Sequence, residues 1–252
     1  MCELFGASSS TPRSLSRWLR PFRLRGGESA DNPDGWGIAF WSGGHPNIEK
    51  SPEPGWSSTH FLQLSENLAS DLVIAHVRKA RHPPVPSVEN THPFVHPCCG
   101  REWVFAHNGL VSDVAESAPN PSCHPVGETD SEHAFCQILA GIAGTYATDD
   151  HQPWLNALNR LADAIATRGK FNFLLSDGRI LMAYGHDRLH YLESSDGRGS
   201  FALVATEPLA DGPWQPFADQ ELRVYKDGVL LARYSPQGFA QASSELPDKG
   251  AA

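Results

Sequence analysis

The sequence has little of what a membrane protein or a nucleic-acid-binding protein requires. No apolar run among its 252 residues approaches the roughly 18 residues of a membrane span. Basic residues are scarce, since 20 Lys and Arg stand against 29 Asp and Glu, and the formal charge is −9. A basic face is needed to neutralise phosphates, so we expect neither nucleic acid nor membrane as a partner. The amino terminus shows no secretory signal, which favours a cytoplasmic location.

Cysteine is also scarce, and its spacing excludes the common cysteine-rich sites. The 5 cysteines are too few and too irregular for a disulfide framework, which predicts reduced thiols. No C-x-x-C motif is present, and the vicinal pair Cys98 and Cys99 cannot easily place both sulfurs around one tetrahedral ion. A metal site formed by the histidines and cysteines of residues 92–99 is therefore less favoured than a polar loop that contains histidines. We predict no metal and no other cofactor.

The order of apolar patterns predicts an α+β fold. An amphipathic helix with an arginine-rich face is expected at residues 13–25. Two central helices follow, one opened by the capping-box sequence Thr129-Asp130-Ser131-Glu132 and one at residues 154–168. Strands are predicted on both sides of these helices, at residues 2–8, 35–41, 72–77, 103–107, 171–176, 179–184, 201–206, 222–225 and 229–234. This order predicts one domain over residues 1–252, with two antiparallel sheets packed face to face under helices and a polar tail from about residue 235.

Cys2 is a candidate catalytic nucleophile because of its position directly after Met1. A small residue after Met1 permits removal of the initiator methionine, which would leave Cys2 with a free α-amine. An α-amine has an ordinary pKa of about 7.7–8.0, so it can take the proton of a neighbouring thiol and return it to a leaving group. Nucleophile and base would then belong to one residue. The alternative is a frayed terminus that happens to contain cysteine.

A series of short motifs distinguishes these alternatives. They occur in the order Cys2-Glu3-Leu4-Phe5-Gly6, Asp34-Gly35-Trp36-Gly37-Ile38, His76-Val77-Arg78, Asn90-Thr91-His92-Pro93-Phe94, Ala106-His107-Asn108-Gly109 and Thr129-Asp130-Ser131-Glu132. Together they resemble the class II (N-terminal nucleophile) glutamine amidotransferases, and among these the stand-alone, YafJ-like subgroup. Residues 171–178 and 205–209 extend the resemblance towards residue 234.

The resemblance implies a four-layer αββα fold and a catalytic set. Cys2 would attack the side-chain amide of glutamine, release ammonia and leave a γ-glutamyl thioester. Asn108 and Gly109 would form the oxyanion hole, from which loss of one donor typically costs about 3–4 kcal/mol of transition-state stabilisation. A type I′ hairpin turn is the alternative for an Asn-Gly pair, and both can hold at once.

Three further residues are implied as substrate-binding. Arg78 resembles the residue that clamps the α-carboxylate of glutamine, a role that suits the bidentate guanidinium. Asp130 resembles the residue that binds the α-ammonium, although helix capping is a competing role. His92 aligns with a position near the active site in some branches, and structural packing against its loop is the alternative.

The chain leaves no room for the synthase domain that follows this domain in larger family members. The expected activity is therefore glutamine hydrolysis, with ammonia released to water or to an acceptor on a separate synthase subunit. One alternative is hydrolysis of a γ-glutamyl amide in a small thiol-containing peptide, because the same clamp binds any γ-glutamyl group. Another is a non-catalytic binding module, whose signature would be loss of the nucleophile or an oxyanion donor, and neither is lost here.

Overall fold

The computed structural model describes residues 1–42, 44–80, 86–114, 123–236 and 238–241. No helix within these ranges combines the length and the apolar character that a membrane span requires. The helices are α1 (Ser16–Leu24), α2 (Thr59–Asn67), α3 (Asp130–Ala143) and α4 (Gln152–Ala166). The strands are β1 (Glu3–Ser14), β2 (Trp36–Ser42), β3 (His45–Ser51), β4 (Ala69–Val77), β5 (Phe94–Cys98), β6 (Arg101–Val111), β7 (Gly169–Ser176), β8 (Ile180–Gly185), β9 (His190–Asp196), β10 (Gly199–Ala205), β11 (Gln215–Pro216), β12 (Glu221–Lys226), β13 (Val229–Ser235) and β14 (Gly238–Gln241).

The strands form two antiparallel sheets. The first has the order β11-β9-β10-β1-β4-β2-β3, and the second has the order β14-β13-β12-β8-β7-β6-β5. In the first sheet β1 is central, because it pairs with β4 through Glu3 opposite Val77 and with β10 through Phe5 opposite Ala205. The amino-terminal residues therefore enter the interior of a sheet, not its edge.

Alternation of side chains along the strands builds the layers. In β1, Leu4 packs into the apolar layer between the two sheets, while Phe5 packs against the helices on the outer face. Helices α1 and α2 cover the first sheet, where Trp36 and Phe61 stack with ring centroids 4.4 Å apart. Helices α3 and α4 cover the second sheet through a separate buried cluster. The predicted helix–sheet–sheet–helix sandwich is confirmed.

Several elements differ from the prediction made from the sequence. The strands β3, β5 and β9 and the helix α2 were not predicted. Residues Gly238–Gln241, inside the predicted polar tail, pair with β13 as β14, whereas residues 242–252 lie outside the described ranges. A tight turn at Asp227-Gly228 joins β12 to β13, and both residues have positive φ, +52° and +76°.

The expectation that every thiol is reduced is wrong for one pair. Cys123 and Cys136 form a disulfide, and Cys2, Cys98 and Cys99 carry free thiols. Cys136 lies on α3, and Cys123 lies in the segment that leads into that helix. The bond therefore depends on how the chain turns into α3, which the spacing of cysteines along the sequence does not reveal.

Candidate active site

A cavity of about 280 Å³ lies where β1 begins, β4 and β6 end and α3 begins. Five of the six residues predicted from the sequence line it, and the sixth, Asn108, contacts the Cys2 backbone from the adjoining strand. The structure thus brings together positions that are more than 120 residues apart in the chain. The five lining residues are Cys2, Arg78, His92, Gly109 and Asp130.

Cys2 precedes β1, and its thiol contacts the chain just beyond β4. The Lys79 N–H donates to Sγ at 3.2 Å, and Sγ lies 3.5 Å from the Lys79 carbonyl oxygen. Burial raises the pKa of the Cys2 thiol, against the lowering effects of the Lys79 N–H and of the positive charges at the amino terminus and Arg78. The group is therefore a neutral thiol at neutral pH, and a nucleophilic role requires a base.

Asn108 lies within β6, and its side chain faces Cys2. Its Nδ2 donates a short hydrogen bond to the Cys2 carbonyl oxygen. An amide NH₂ carries two hydrogens, so one donor remains for a ligand. The backbone of Asn108 is held in turn by Asn172 of β7, whose Nδ2 donates to the Asn108 carbonyl at 3.2 Å.

Gly109 occupies a position that excludes a side chain. Its φ is +156°, and an added Cβ would lie 1.8 Å from the Lys170 carbonyl oxygen and 2.7 Å from His107 Nε2. The pair Asn108-Gly109 continues β6, where Asn108 stands opposite Asn172, so the alternative of a hairpin turn at this pair is wrong. Glycine is required at this position because the backbone of β7 leaves no space for a Cβ atom and because the φ angle is positive.

Arg78 follows β4 and is fixed by the loop that precedes β2. Its N–H donates to the Gly35 carbonyl at 2.8 Å, and its carbonyl accepts from the Asp34 N–H at 3.0 Å. The side chain is 5% exposed, and its buried Nη1 has no hydrogen-bond partner among the described residues. Burial lowers the pKa of Arg78, against the raising effects of Cys2, Asp34 and Asp130, but arginine still remains charged. An unpaired buried guanidinium nitrogen is costly, so the geometry favours a ligand oxygen at this atom.

Asp130 is the first residue of α3. Its Oδ2 accepts from the Val111 N–H at 2.7 Å, and its Oδ1 accepts from the Ser131 N–H at 2.8 Å. Capping is performed by the preceding Thr129, whose hydroxyl accepts from the Glu132 N–H at 3.2 Å. Asp130 is therefore oriented by backbone donors, and lone pairs on its carboxylate remain for a cation in the cavity.

Only the threonine half of the predicted capping box is present. The Glu132 carboxylate is directed elsewhere, since its Oε2 accepts from the Gly127 N–H at 2.8 Å and its Oε1 lies 2.9 Å from His96 Nε2. Glu132 therefore joins α3 to the segment before it and to β5.

His92 lies in the loop before β5, next to a cis peptide bond with Pro93. Its ring packs 4.2 Å from the His76 ring and 4.5 Å from the Phe94 ring, measured between centroids. Neither ring nitrogen has a hydrogen-bond partner within the part of the chain that the structure describes. Burial lowers the pKa of His92 well below its ordinary value, so a neutral imidazole faces the cavity.

His107 and Asn172 are site residues that the sequence analysis did not single out. His107 Nε2–H donates to the Lys170 carbonyl at 3.1 Å, and Nδ1 accepts from the Ser131 hydroxyl at 2.8 Å. This assignment follows from the neutral ring, whose pKa burial lowers. Asn172 Oδ1 accepts from the N–H groups of His186 and Asp187 at 2.8 and 3.1 Å. Both residues lie inside the motifs quoted above, and their place in those motifs is the sequence feature that could have identified them.

Comparison with known proteins shows which family the chain belongs to. The family model described as glutamine amidotransferases class-II matches residues 1–196. The chain is 37% identical over 250 residues to the putative glutamine amidotransferase YafJ of Escherichia coli, covering 89% of this chain and 97% of that protein. It is 30% identical over 209 residues to the gamma-glutamyl-hercynylcysteine sulfoxide hydrolase of Mycobacterium tuberculosis, covering 79% and 78%. The crystal structure of a predicted glutamine amidotransferase from Pseudomonas aeruginosa aligns with a TM-score of 0.71 at 30% identity, over 92% of this chain and 100% of that chain.

Proposed function

Because the chain belongs to the class II glutamine amidotransferases, an enzyme family, we propose that it hydrolyses the side-chain amide of glutamine with Cys2 as the nucleophile. The observation that carries this proposal is the composition of the cavity. A partly buried thiol, a guanidinium nitrogen of Arg78 that has no partner among the described residues and the oriented carboxylate of Asp130 share one space of about 280 Å³. We propose further that residues 1–252 act as a single glutaminase domain.

The charges at the cavity wall match the α-amino acid end of glutamine. Arg78 Nη1 donates to the α-carboxylate, which gives the buried nitrogen the partner that it lacks among the described residues. The Asp130 carboxylate accepts from the α-ammonium. His92 adds a neutral ring nitrogen to the same wall, where it contacts the bound amino acid. With both charged ends held, the γ-amide points towards Cys2.

Removal of Met1 supplies the base that the neutral thiol needs. The freed α-amine of Cys2 takes the thiol proton, and Sγ forms a bond to the amide carbon. The oxygen becomes negative and accepts from the second Nδ2–H of Asn108 and from the Gly109 N–H. The ammonium then returns the proton to the departing nitrogen, the C–N bond breaks, and ammonia leaves. A water, deprotonated by the same amine, hydrolyses the thioester to glutamate and restores the thiol.

The ammonia has two destinations in this proposal. It escapes to water in a simple glutaminase, or it passes to an acceptor held by a separate synthase subunit. The chemistry of the described site needs neither a metal nor a cofactor, because nucleophile, base and oxyanion donors are all side-chain or backbone groups of the chain.

A second candidate keeps the site and enlarges the leaving group. The relative from Mycobacterium tuberculosis is named as a hydrolase of a γ-glutamyl compound, and its similarity covers 79% of this chain. A γ-glutamyl group presents the same α-carboxylate and α-ammonium to Arg78 and Asp130. The leaving amine would then lie past Leu110 and Lys170, which line the outer part of the cavity wall; Leu110 is 47% exposed.

The experiment begins with the intact mass of the purified protein, before and after treatment with a diazo-ketone analogue of glutamine. We expect a mass that lacks methionine and then a single adduct on Cys2. Cys2→Ala should abolish both adduct and turnover, while Cys98→Ala, which removes another partly exposed free thiol, should change neither. Full turnover of glutamine and γ-glutamyl peptides by Cys2→Ala would contradict the proposal.

Comparison of kcat/KM for free glutamine and for a γ-glutamyl peptide decides between the two candidates. Ammonia release is measured for the first substrate and release of the peptide amine for the second. Faster turnover of glutamine supports the first candidate, and faster turnover of the peptide supports the second.

A further inference from the structure

A second group of chemically reactive side chains lies on β5, on α3 and in the segment that leads into α3, outside the proposed active site. It comprises His96, Cys123 and Cys136, each less than 8% exposed. One ring nitrogen of His96 and the two Sγ atoms all lie within 4.8 Å of one another. Ligand atoms around a tetrahedral zinc ion are roughly 3.5–3.8 Å apart, given bonds of about 2.0–2.3 Å. Side-chain adjustments alone would therefore bring these three atoms around one ion.

The surroundings of His96 are those of a metal-binding histidine. Its Nε2 lies 2.9 Å from Glu132 Oε1, and both side chains are buried. Histidines that bind metal usually donate their other ring N–H to a carboxylate or carbonyl oxygen, which fixes the orientation of the ring. Glu132 is itself held, because its Oε2 accepts from the Gly127 N–H.

We propose that Cys123, Cys136 and His96 bind one divalent cation of the zinc type when the two cysteines are reduced, and that the disulfide is the alternative, metal-free state of the same site. Thiolate and imidazole are the ligands that zinc prefers. Three protein ligands leave a fourth position, which water completes. The predicted absence of a metal rested on residues 92–99, of which only His96 belongs to this group.

The interconversion requires a partner of stated chemistry. A dithiol reductant gives two electrons and two protons to the S–S bond and becomes a disulfide itself. The two thiols then lose their protons as the cation binds. In the reverse direction a disulfide oxidant accepts the two electrons of the thiolates, the S–S bond forms, and the cation leaves because a disulfide is not a ligand for zinc.

Either state ties the segment before α3 to the helix that carries Asp130. Cys136 lies about 1.7 turns along α3 from Asp130, and Glu132 stands between them in the sequence. The cation or the disulfide therefore anchors the residues that lead into the first turn of α3, where the cavity wall is built.

The test uses the whole chain, reduced with a dithiol under nitrogen and freed of reductant. Zn²⁺ is added, excess is removed, and metal is measured against protein by elemental mass spectrometry. Co²⁺ is added in parallel, because a thiolate-to-cobalt charge-transfer band reports direct sulfur coordination. We expect one equivalent of metal per chain and a band with Co²⁺ in the reduced protein, and loss of both after oxidation to the disulfide.

Variants separate this site from other thiols. His96→Gln retains both cysteines, so its folding is checked in the oxidised form by thermal unfolding, and we expect at least a tenfold weaker affinity for Zn²⁺ after reduction. Cys136→Ser should lose the Co²⁺ band. Cys99→Ser, which removes an exposed thiol, should retain both the stoichiometry and the band. Less than 0.2 equivalents of metal in the folded, reduced protein, or unchanged binding by Cys136→Ser or His96→Gln, would overturn the proposal.

Discussion

Replacement of Arg78 by alanine tests the proposal that this residue binds the α-carboxylate of the substrate. Arg78 is 5% exposed, and its Nη1 has no partner among the described residues, so a bound carboxylate would supply this nitrogen with a hydrogen bond that no described residue provides. A hydrogen bond to a charged group contributes about 1.5–3 kcal/mol, and a bidentate pair therefore about 3 kcal/mol or more. At about 1.4 kcal/mol per factor of ten, Arg78→Ala should lower kcat/KM for glutamine by roughly 150-fold or more.

The loss should appear mainly in KM, because the carboxylate is bound equally in the ground state and in the transition state. The assay is ammonia release from glutamine and from 4-aminobutanamide, which is glutamine without its α-carboxylate. The wild-type protein should use the second substrate poorly, and Arg78→Ala should change its kcat/KM by less than threefold. Arg78→Lys should have a kcat/KM for glutamine between those of the wild-type protein and Arg78→Ala, because lysine keeps the positive charge but cannot form the bidentate contact of a guanidinium.

A second arginine provides a control variant for this assay, and one result would refute the proposed role of Arg78. Arg20→Ala removes an exposed arginine that pairs with Glu66 on the outer face, and it should leave both substrates unaffected. If Arg78→Ala lowered turnover of both substrates by the same large factor, Arg78 would act on the structure of the cavity and not on the carboxylate.

Three further predictions follow from the same geometry. Asn108→Ala should lower kcat about 100- to 1000-fold with little change in KM, measured by steady-state ammonia release, because one oxyanion donor is lost; an unchanged kcat would remove Asn108 from the mechanism. Burial lowers the pKa of His76 to about 3 in the folded protein, whereas its pKa in the unfolded chain is about 6.5. The contribution of His76 to the free energy of unfolding is therefore present above about pH 6.5, and it is lost at lower pH because the unfolded chain takes up a proton that the folded protein does not. His76→Gln should therefore reduce the drop in unfolding free energy between pH 6.5 and 5 by roughly 2 kcal/mol in urea titrations, and an unaltered pH dependence would refute the assignment. In protein that retains Met1, burial also raises the pKa of the Cys2 thiol. Alkylation of Cys2 by iodoacetamide, followed on the Cys2 peptide by mass spectrometry, should therefore require a higher pH in that form than alkylation of N-acetylcysteine, and an equal or lower midpoint pH would refute the effect of burial.

Local patterns were enough to predict most of the fold. The helices α3 and α4 and the strands β7, β8, β12 and β13 have strong apolar periodicity and clear turn or cap residues near their ends. The strand β3 was missed because it is a polar edge strand, with no buried residue, in a loop rich in Pro and Gly. The strand β5 was missed because it is short and contains Pro97, which normally argues against a strand.

The site could be predicted only in part, for a different reason. Its principal residues occur in motifs, but their meeting depends on non-local pairing, such as Glu3 opposite Val77, which places Cys2 beside the residues that follow β4. The supporting residues His107 and Asn172 act through contacts across β6, β7 and α3, and no single strand pattern reveals these. The disulfide between Cys123 and Cys136 was missed because it depends on the turn into α3.

The central position of β1 also has a consequence for the order of events during synthesis. The Leu4 N–H donates to the Thr206 hydroxyl, 202 residues further along the chain, at 2.7 Å. Contacts of such sequence separation form late, because loop closure over that length precedes any gain from them. We therefore expect the first residues to stay unpaired and accessible to an aminopeptidase while most of the chain emerges from the ribosome. We expect Met1 to be removed in this interval, so that the α-amine of Cys2 is free before the cavity closes around it.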